Sequence, residues 1–227
     1  MNQTAKKVIL PASLTGIVLF SGIIGGIPFS FADEQTRTLP LSNFDTLTVE
    51  KGMAVNVHCS DRNYLEATGD SKVLDQMQVR DRQGAIQISN ESEGGWEEIE
   101  PLTLHIYTAQ PLHKLEARFG IQADVEGCAL AKDSFAAIGR MGSKLTLSGE
   151  TETLNLDLAM GATLTQALQP LRINNANVAL GMGASASLCH AKSVTGQQSA
   201  GTRLSVSPDT QIKVNGSYGT SIVFDAC

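Results

Sequence analysis

The sequence predicts an all-β chain: a parallel β-solenoid of about 18–22 residues per coil. Three observations carry the prediction. First, a glycine recurs behind a mostly apolar residue, at Phe119-Gly120, Met141-Gly142, Met160-Gly161, Met182-Gly183, Ala200-Gly201 and Tyr218-Gly219, with intervals of 22, 19, 22, 18 and 18 residues. Second, apolar residues stand three and five places after these glycines (Ala123 and Val125, Leu145 and Leu147, Ala186 and Leu188, Leu204 and Val206), with mostly polar residues between them. That period of two marks strands with one buried face. Third, 21 glycines with one Trp, three Tyr and seven Phe in 227 residues suit columns of medium-sized side chains better than a bulky core. One such unit cannot bury its apolar face alone, but stacked copies share a continuous core.

The elements follow in chain order. Lys6 and Lys7, an apolar stretch from Val8 to Pro28, and Ser30-Phe31-Ala32 ahead of Asp33-Glu34 form the pattern of a secretory signal peptide over residues 1–32. Removal after Ala32 leaves residues 33–227 as a single solenoid domain with no further stretch able to span a bilayer as a helix. No Cys ends the leader, which argues against a lipid anchor. The mature chain would lose two lysines and no acid, so its net charge moves from −6 to −8, all of it within residues 33–100. An acidic chain with no Lys/Arg-rich run excludes a nucleic-acid binder.

Gly52, preceded by Leu47 and Val49 and followed by Val55 and Val57, places a first coil over Phe44 to Cys59. Residues 60–112 interrupt the spacing as an irregular insertion. They still carry strand patterns at Tyr64–Ala67, Met77–Val79, Ala85–Ile88 and Leu102–Tyr107, a hairpin turn at Asp81-Arg82-Gln83-Gly84, and one helical turn near Val73. Gly120, Gly142, Gly161, Gly183, Gly201 and Gly219 corner the later coils, where positive φ and close backbone approach favour glycine. The residues before them (Phe119, Met141, Met160, Met182, Ala200 and Tyr218) are expected to form an inward column, with the methionines as core filler.

The order Phe44-x-x-Leu47-x-Val49-x-x-Gly52-x-x-Val55-x-Val57, Leu65-x-Ala67-x-Gly69-Asp70, Leu102 to Tyr107 with Pro111-Leu112-x-x-Leu115, and then glycine-cornered coils resembles the auto-transporter adhesin head GIN domain family (DUF2807) over residues 40–227. The corners depart from the Gly-Ser-Gly usual in that family, reading Met-Gly-Ser, Met-Gly-Ala, Ala-Gly-Thr and Tyr-Gly-Thr. The resemblance implies an exported right-handed β-helix and brings no catalytic residues.

Candidate chemistry is sparse. No nucleophile elbow, phosphate loop or zinc-helix motif occurs, so no catalytic residue, cofactor or metal is expected. Asp124 and Asp157 fall on different strand types in different coils and read as solubilising charges. His58-Cys59 and Cys189-His190 could in principle build a two-Cys, two-His site, but neighbours on a strand point to opposite faces. Cys59, Cys128, Cys189 and Cys227 suit an oxidising compartment and allow three pairings. Cys128 to Cys227 spans five repeats, beyond disulfide reach, so coil order favours Cys59–Cys128 and Cys189–Cys227. The acidic segment holding Trp96, Glu97, Glu98 and Glu100 is the candidate binding loop. The expected function is a non-enzymatic binding module, periplasmic or at the cell surface, with a glycan or envelope protein as partner. Two alternatives stay open. One is a polysaccharide-active solenoid enzyme, favoured by a charged groove and disfavoured by a flat Ser/Thr/Asn face. The other is an assembly module that forms a homo-oligomer through its solenoid ends, where Ile222-Val223-Phe224 is apolar on consecutive positions.

Overall fold

The structure is a computed structural model, described for residues 34–91 and 102–224. The leader and its cleavage position, the Trp96 loop and Cys227 lie outside the described residues. Ala32–Cys227 form one compact unit.

The chain opens with β1 (Glu34–Pro40), β2 (Thr46–Glu50), β3 (Met53–Cys59), β4 (Tyr64–Asp70), the short helix α1 (Ser71–Gln76), β5 (Met77–Arg82), β6 (Ala85–Asn90) and β7 (Leu102–Thr108). It continues with β8 (Lys114–Arg118), β9 (Gln122–Val125), a 3-10 turn at Gly127–Ala129, β10 (Ser134–Arg140), β11 (Lys144–Ala159) and β12 (Thr163–Leu180). The last strands are β13 (Ser185–Leu188), β14 (Ala191–Gln198), β15 (Arg203–Val206), β16 (Gln211–Gly216) and β17 (Ser221–Phe224).

These strands form a β-solenoid with two main parallel ladders. One ladder runs β6, β2, β8, β10, the second half of β11, the second half of β12, β14 and β16. The other runs β7, β3, β9, the first halves of β11 and β12, β13, β15 and β17. Each level is one coil, and from β2–β3 and β8–β9 onward a glycine corner links its two strands. Alternate residues face inward: Leu47, Val49, Leu115, Ala117, Phe135, Ala137, Leu156 and Leu158 from the first ladder, and Val55, Val57, Ala123, Val125, Leu145 and Leu147 from the second. At about 25 cal/mol per Å² these columns supply the main folding force.

Within residues 60–112, the described parts are regular strands and a short helix and not an irregular insertion. β6 and β7 run parallel to β2 and β3 on the side away from β8 and β9, adding a level beyond the coil that precedes them in sequence. Antiparallel strands then close that end: β5 pairs with β6, β4 with β7, and β1 with β4. The β5–β6 hairpin turns on Gln83 and Gly84 at φ 51° and 88°, as a tight hairpin requires. α1 is capped by the Asp70 carboxylate, which accepts from Lys72 N at 2.8 Å, and buries Val73 and Leu74. At the opposite end β16 and β17 pair only with β14 and β15 among the described residues.

The column before the glycines is corrected. Met141, Met160, Met182 and Tyr218 are 41, 49, 61 and 93% exposed, Ala200 is exposed and Phe119 half-buried. The inward column stands one residue after the glycine instead: Met53, Ile121, Ser143, Ala162, Ala184 and Thr202 are buried, and Thr220 at the last level is half-buried. The corner backbone is the cause. Met141 and Gly142 have φ of 52° and 73°, Met160 and Gly161 of 55° and 74°. The bend at the corner, with its glycine at positive φ throughout, turns the residue before the glycine outward, and the inward phase resumes with the same parity one residue after it.

Candidate binding surface

On the second ladder the outward positions nearest the capped end hold rings and carboxylates. The register places Tyr64 opposite Tyr107 and Tyr107 opposite His58. It also places Glu66 opposite His105, His105 opposite Asn56, and Asn56 opposite Asp124. Residues far apart in sequence thus form two short adjacent rows. The rings stack along the surface: Tyr64 on Tyr107 at 4.2 Å between centroids, Tyr107 to His58 at 5.1 Å, and His58 to His105 at 5.3 Å. All four side chains are half-buried, so the ledge keeps contact area toward solvent.

Hydrogen bonds fix its order. His58 Nδ1 lies 2.7 Å from Glu126 Oε1, and the other carboxylate oxygen accepts from Cys59 N at 3.3 Å. The ionised carboxylate only accepts, so His58 Nδ1 carries the hydrogen. In the neutral ring His58 Nε2 then accepts from His105 Nδ1, 3.1 Å away. The hydrogen bond from His58 holds the Glu126 carboxyl below its usual range, helped by Cys59 N and opposed by partial burial. Tyr107 donates to Glu66 Oε2 at 3.4 Å. Burial, then the nearby Glu66 charge, pushes its phenol up. Glu126 is also clamped by covalent geometry, because Cys59 and Cys128 form a disulfide that joins β3 to the turn after β9. Cys189 is disulfide-bonded too, which removes the two-Cys, two-His arrangement.

Beyond the ledge the outward positions carry hydroxyls, with Thr146, Thr165, Ser187 and Ser205 at successive levels. Thr146 and Thr165 share a hydrogen bond of 3.2 Å, and Gln166 Nε2 donates to Ser187 at 3.3 Å. The first ladder carries a matching row, in which Asn177 donates to Asn155 at 3.0 Å and accepts from Thr195 at 2.9 Å. Asp157 is held by Arg140, while Asp124 is exposed on the other ladder, so the two carboxylates are not brought together. On the third side of the coils a cleft of about 630 Å³ is lined by Lys132, Glu150, Glu152, Arg172, His190 and Lys192. Glu150 is ion-paired with Lys132 at 3.5 Å and Glu152 accepts from Asn174.

Sequence reading missed the ledge because its parts come from three strands joined only by register. A signal was present in the outward phase of Tyr64, His105, Tyr107 and His58. The proposed loop residues Trp96, Glu97, Glu98 and Glu100 lie outside the described residues, in the segment that connects β6 to β7.

The family described as "Putative auto-transporter adhesin, head GIN domain" matches residues 43–224. The chain belongs to this family. Solved structures share the head GIN fold. A "putative adhesin" of Bacteroides fragilis NCTC 9343 superposes with a TM-score of 0.61 at 13% identity, covering 85% of this chain and 97% of that one. A "putative lipid binding protein" of Parabacteroides distasonis ATCC 8503 gives 0.55 at 12% identity, covering 85% and 96%. A "putative adhesin" of Parabacteroides merdae ATCC 43184 gives 0.51 at 11% identity, with the same coverage. At these identities the likeness is one of fold. No curated protein matches the chain.

Proposed function

We propose that this head GIN domain is an exported, non-enzymatic module that binds glycans on the ledge formed by Tyr64, Tyr107, His58 and His105. The carrying observation is the row of stacked rings beside Glu66, Asp124 and Glu126, on a ladder whose further outward positions are hydroxyl side chains. Ring faces and edges match the apolar faces of sugars, and carboxylates accept hydrogen bonds from sugar hydroxyls. The leader pattern and the Cys59–Cys128 disulfide support an oxidising compartment. A glycan array with the mature domain, followed by titration of the best hit, tests the reading. Tyr107→Ala is expected to weaken binding at least tenfold while Thr165→Ala leaves it unchanged. Equal binding by both variants, or no hit on the array, refutes it. Liposome flotation is the comparison arm, and binding to vesicles but not to glycans would also refute it.

The charged cleft favours a second reading, a polysaccharide-active enzyme using Glu150 and Glu152, since glycoside cleavage uses paired carboxylates. Release of reducing ends that is lost in Glu150→Gln and in Glu152→Gln would establish it in place of the first.

A further inference from the structure

The corner row overturned above has no role in the core, and its chemistry is specific. Met141, Met160 and Met182 sit at three consecutive corners whose backbones are bonded together: Gly142 N donates to Met160 O at 2.9 Å, and Gly161 N to Met182 O at 3.0 Å. Adjacent levels of a parallel ladder lie about 4.8 Å apart. The chain has six methionines including the first residue, and three of them are in this row, 41 to 61% exposed. Core packing, the usual reason for methionine, does not explain them.

Turn chemistry does not explain them either. Met141 and Met160 occupy left-handed φ, a conformation that favours Gly, Asn or Asp, and an unbranched apolar side chain there is disfavoured by roughly 1 kcal/mol. Lys51 and Phe119 share left-handed φ at the same corner position, at 72° and 62°, so the turn accepts different side chains there and does not itself call for methionine. What the three side chains share is a thioether, a neutral, soft donor on three rotatable bonds that selects soft metal ions over hard ones. A metal–sulfur bond of about 2.3 Å, the length in thiolate sites, sets two sulfurs roughly 4.0 Å apart around a trigonal ion and 4.6 Å around a linear one. Neighbouring corners stand close to that separation, and the outer pair, two repeats apart, reaches one ion by leaning inward on the three rotatable bonds of each side chain. The nearby cation is neutralised, because Arg140, the residue before Met141, is held on Asp157 by two hydrogen bonds, one of 2.9 Å.

We propose that Met141, Met160 and Met182 form an all-thioether site for a soft monovalent cation of the Cu(I) and Ag(I) class, with Met160 as the shared central ligand. The proposal is independent of the glycan reading, whose ledge is built from other residues. The test titrates the full chain, disulfides intact, with Ag(I) in chloride-free buffer and follows methionine methyl groups by NMR. One equivalent is expected to shift the methyls of Met141, Met160 and Met182 and to leave Met53 and Met77 in place. Met160→Leu, which keeps the apolar volume and removes the sulfur, should weaken binding at least tenfold. The triple Leu variant should abolish it with an unchanged far-UV circular dichroism spectrum. Cu(I) under anaerobic reductant should compete for the same methyls. Absence of shifts at one equivalent, or a triple Leu variant that binds Ag(I) as well as the parent chain, overturns the assignment.

Discussion

Three glycines allow backbone conformation and steric closeness to be separated in one experiment. At Gly142, φ is +73° and an added Cβ would meet nothing within 4 Å, so alanine there faces only the left-handed conformation. Gly127 has no positive φ, yet its added Cβ would stand 2.7 Å from Gly149 Cα, well inside the ordinary carbon contact of about 3.5–4.0 Å. Gly149 combines both, with φ +99° and a Cβ 2.5 Å from Gly127 Cα. The left-handed term disfavours alanine by about 1–2 kcal/mol, and the lower entropy of the unfolded alanine chain offsets this by about 0.4–1 kcal/mol. Subtracting the second range from the first, Gly142→Ala should be destabilised by roughly 0–1.6 kcal/mol. Gly127→Ala pushes against backbone on the neighbouring coil, which has no flexible end to move, so a value near the upper limit for overpacking, about 3 kcal/mol, is expected. Gly149→Ala should exceed both, at about 4 kcal/mol or more. Urea unfolding followed by circular dichroism measures the series, with an unchanged slope as the condition for comparing midpoints. If Gly127→Ala loses no more stability than Gly142→Ala, the close approach of the two coils is not a constraint and the reasoning fails.

Further expectations follow from the disulfide and the buried charges. The Cys59–Cys128 link closes 69 residues, for which chain entropy gives about 4 kcal/mol as an upper figure. The Cys59→Ala/Cys128→Ala pair should therefore lose about 2–4 kcal/mol in urea unfolding, and a loss under 1 kcal/mol would contradict it. Glu116 is pushed up by burial, but hydrogen bonds from Arg118 and Lys114 outweigh this and hold it below its usual 4.5, as His58 holds Glu126 below the same value. Between the lowered folded value and 4.5 the unfolded chain binds more protons than the native one. These carboxylates therefore add stability above about pH 4.5, and that stability is lost as pH falls through the folded values. Glu116→Gln and Glu126→Gln should flatten the fall in melting temperature between pH 5 and pH 3, and an unchanged slope in both would count against the pairs. Arg118→Ala removes the main partner of the buried Glu116 and should destabilise by about 1–3 kcal/mol at pH 7, read from the urea midpoint.

The repeat was legible because it is a local pattern written many times. Each glycine with apolar residues three and five places later states strand, face and corner together, and no contact from elsewhere is needed to read it. Leu145, Leu147, Leu204 and Val206 are accordingly buried as their phase requires. The Met141 row failed for an equally local reason. Period two places a side chain inward only where the backbone is extended, and the corner turns the residue before the glycine outward even though the buried parity is the same on both sides of it. The ledge was illegible for a different reason: Tyr64, Tyr107 and His58 meet only because β4, β7 and β3 lie side by side, and no sequence spacing encodes that.

By itself, then, the sequence determined the class of fold, the corner positions and the inward phase of each strand, since these depend on φ preference and on apolar residues repeating every second place. Tertiary structure decided the order of stacking. It set β6 and β7 outside β2 and β3 and turned three methionines toward solvent, whereas the Cys59–Cys128 link is the one that coil order in the sequence favoured. Those outcomes depend on which edge a strand finds free and on how a turn rotates the chain. Both are properties of the assembled backbone, not of any segment within it.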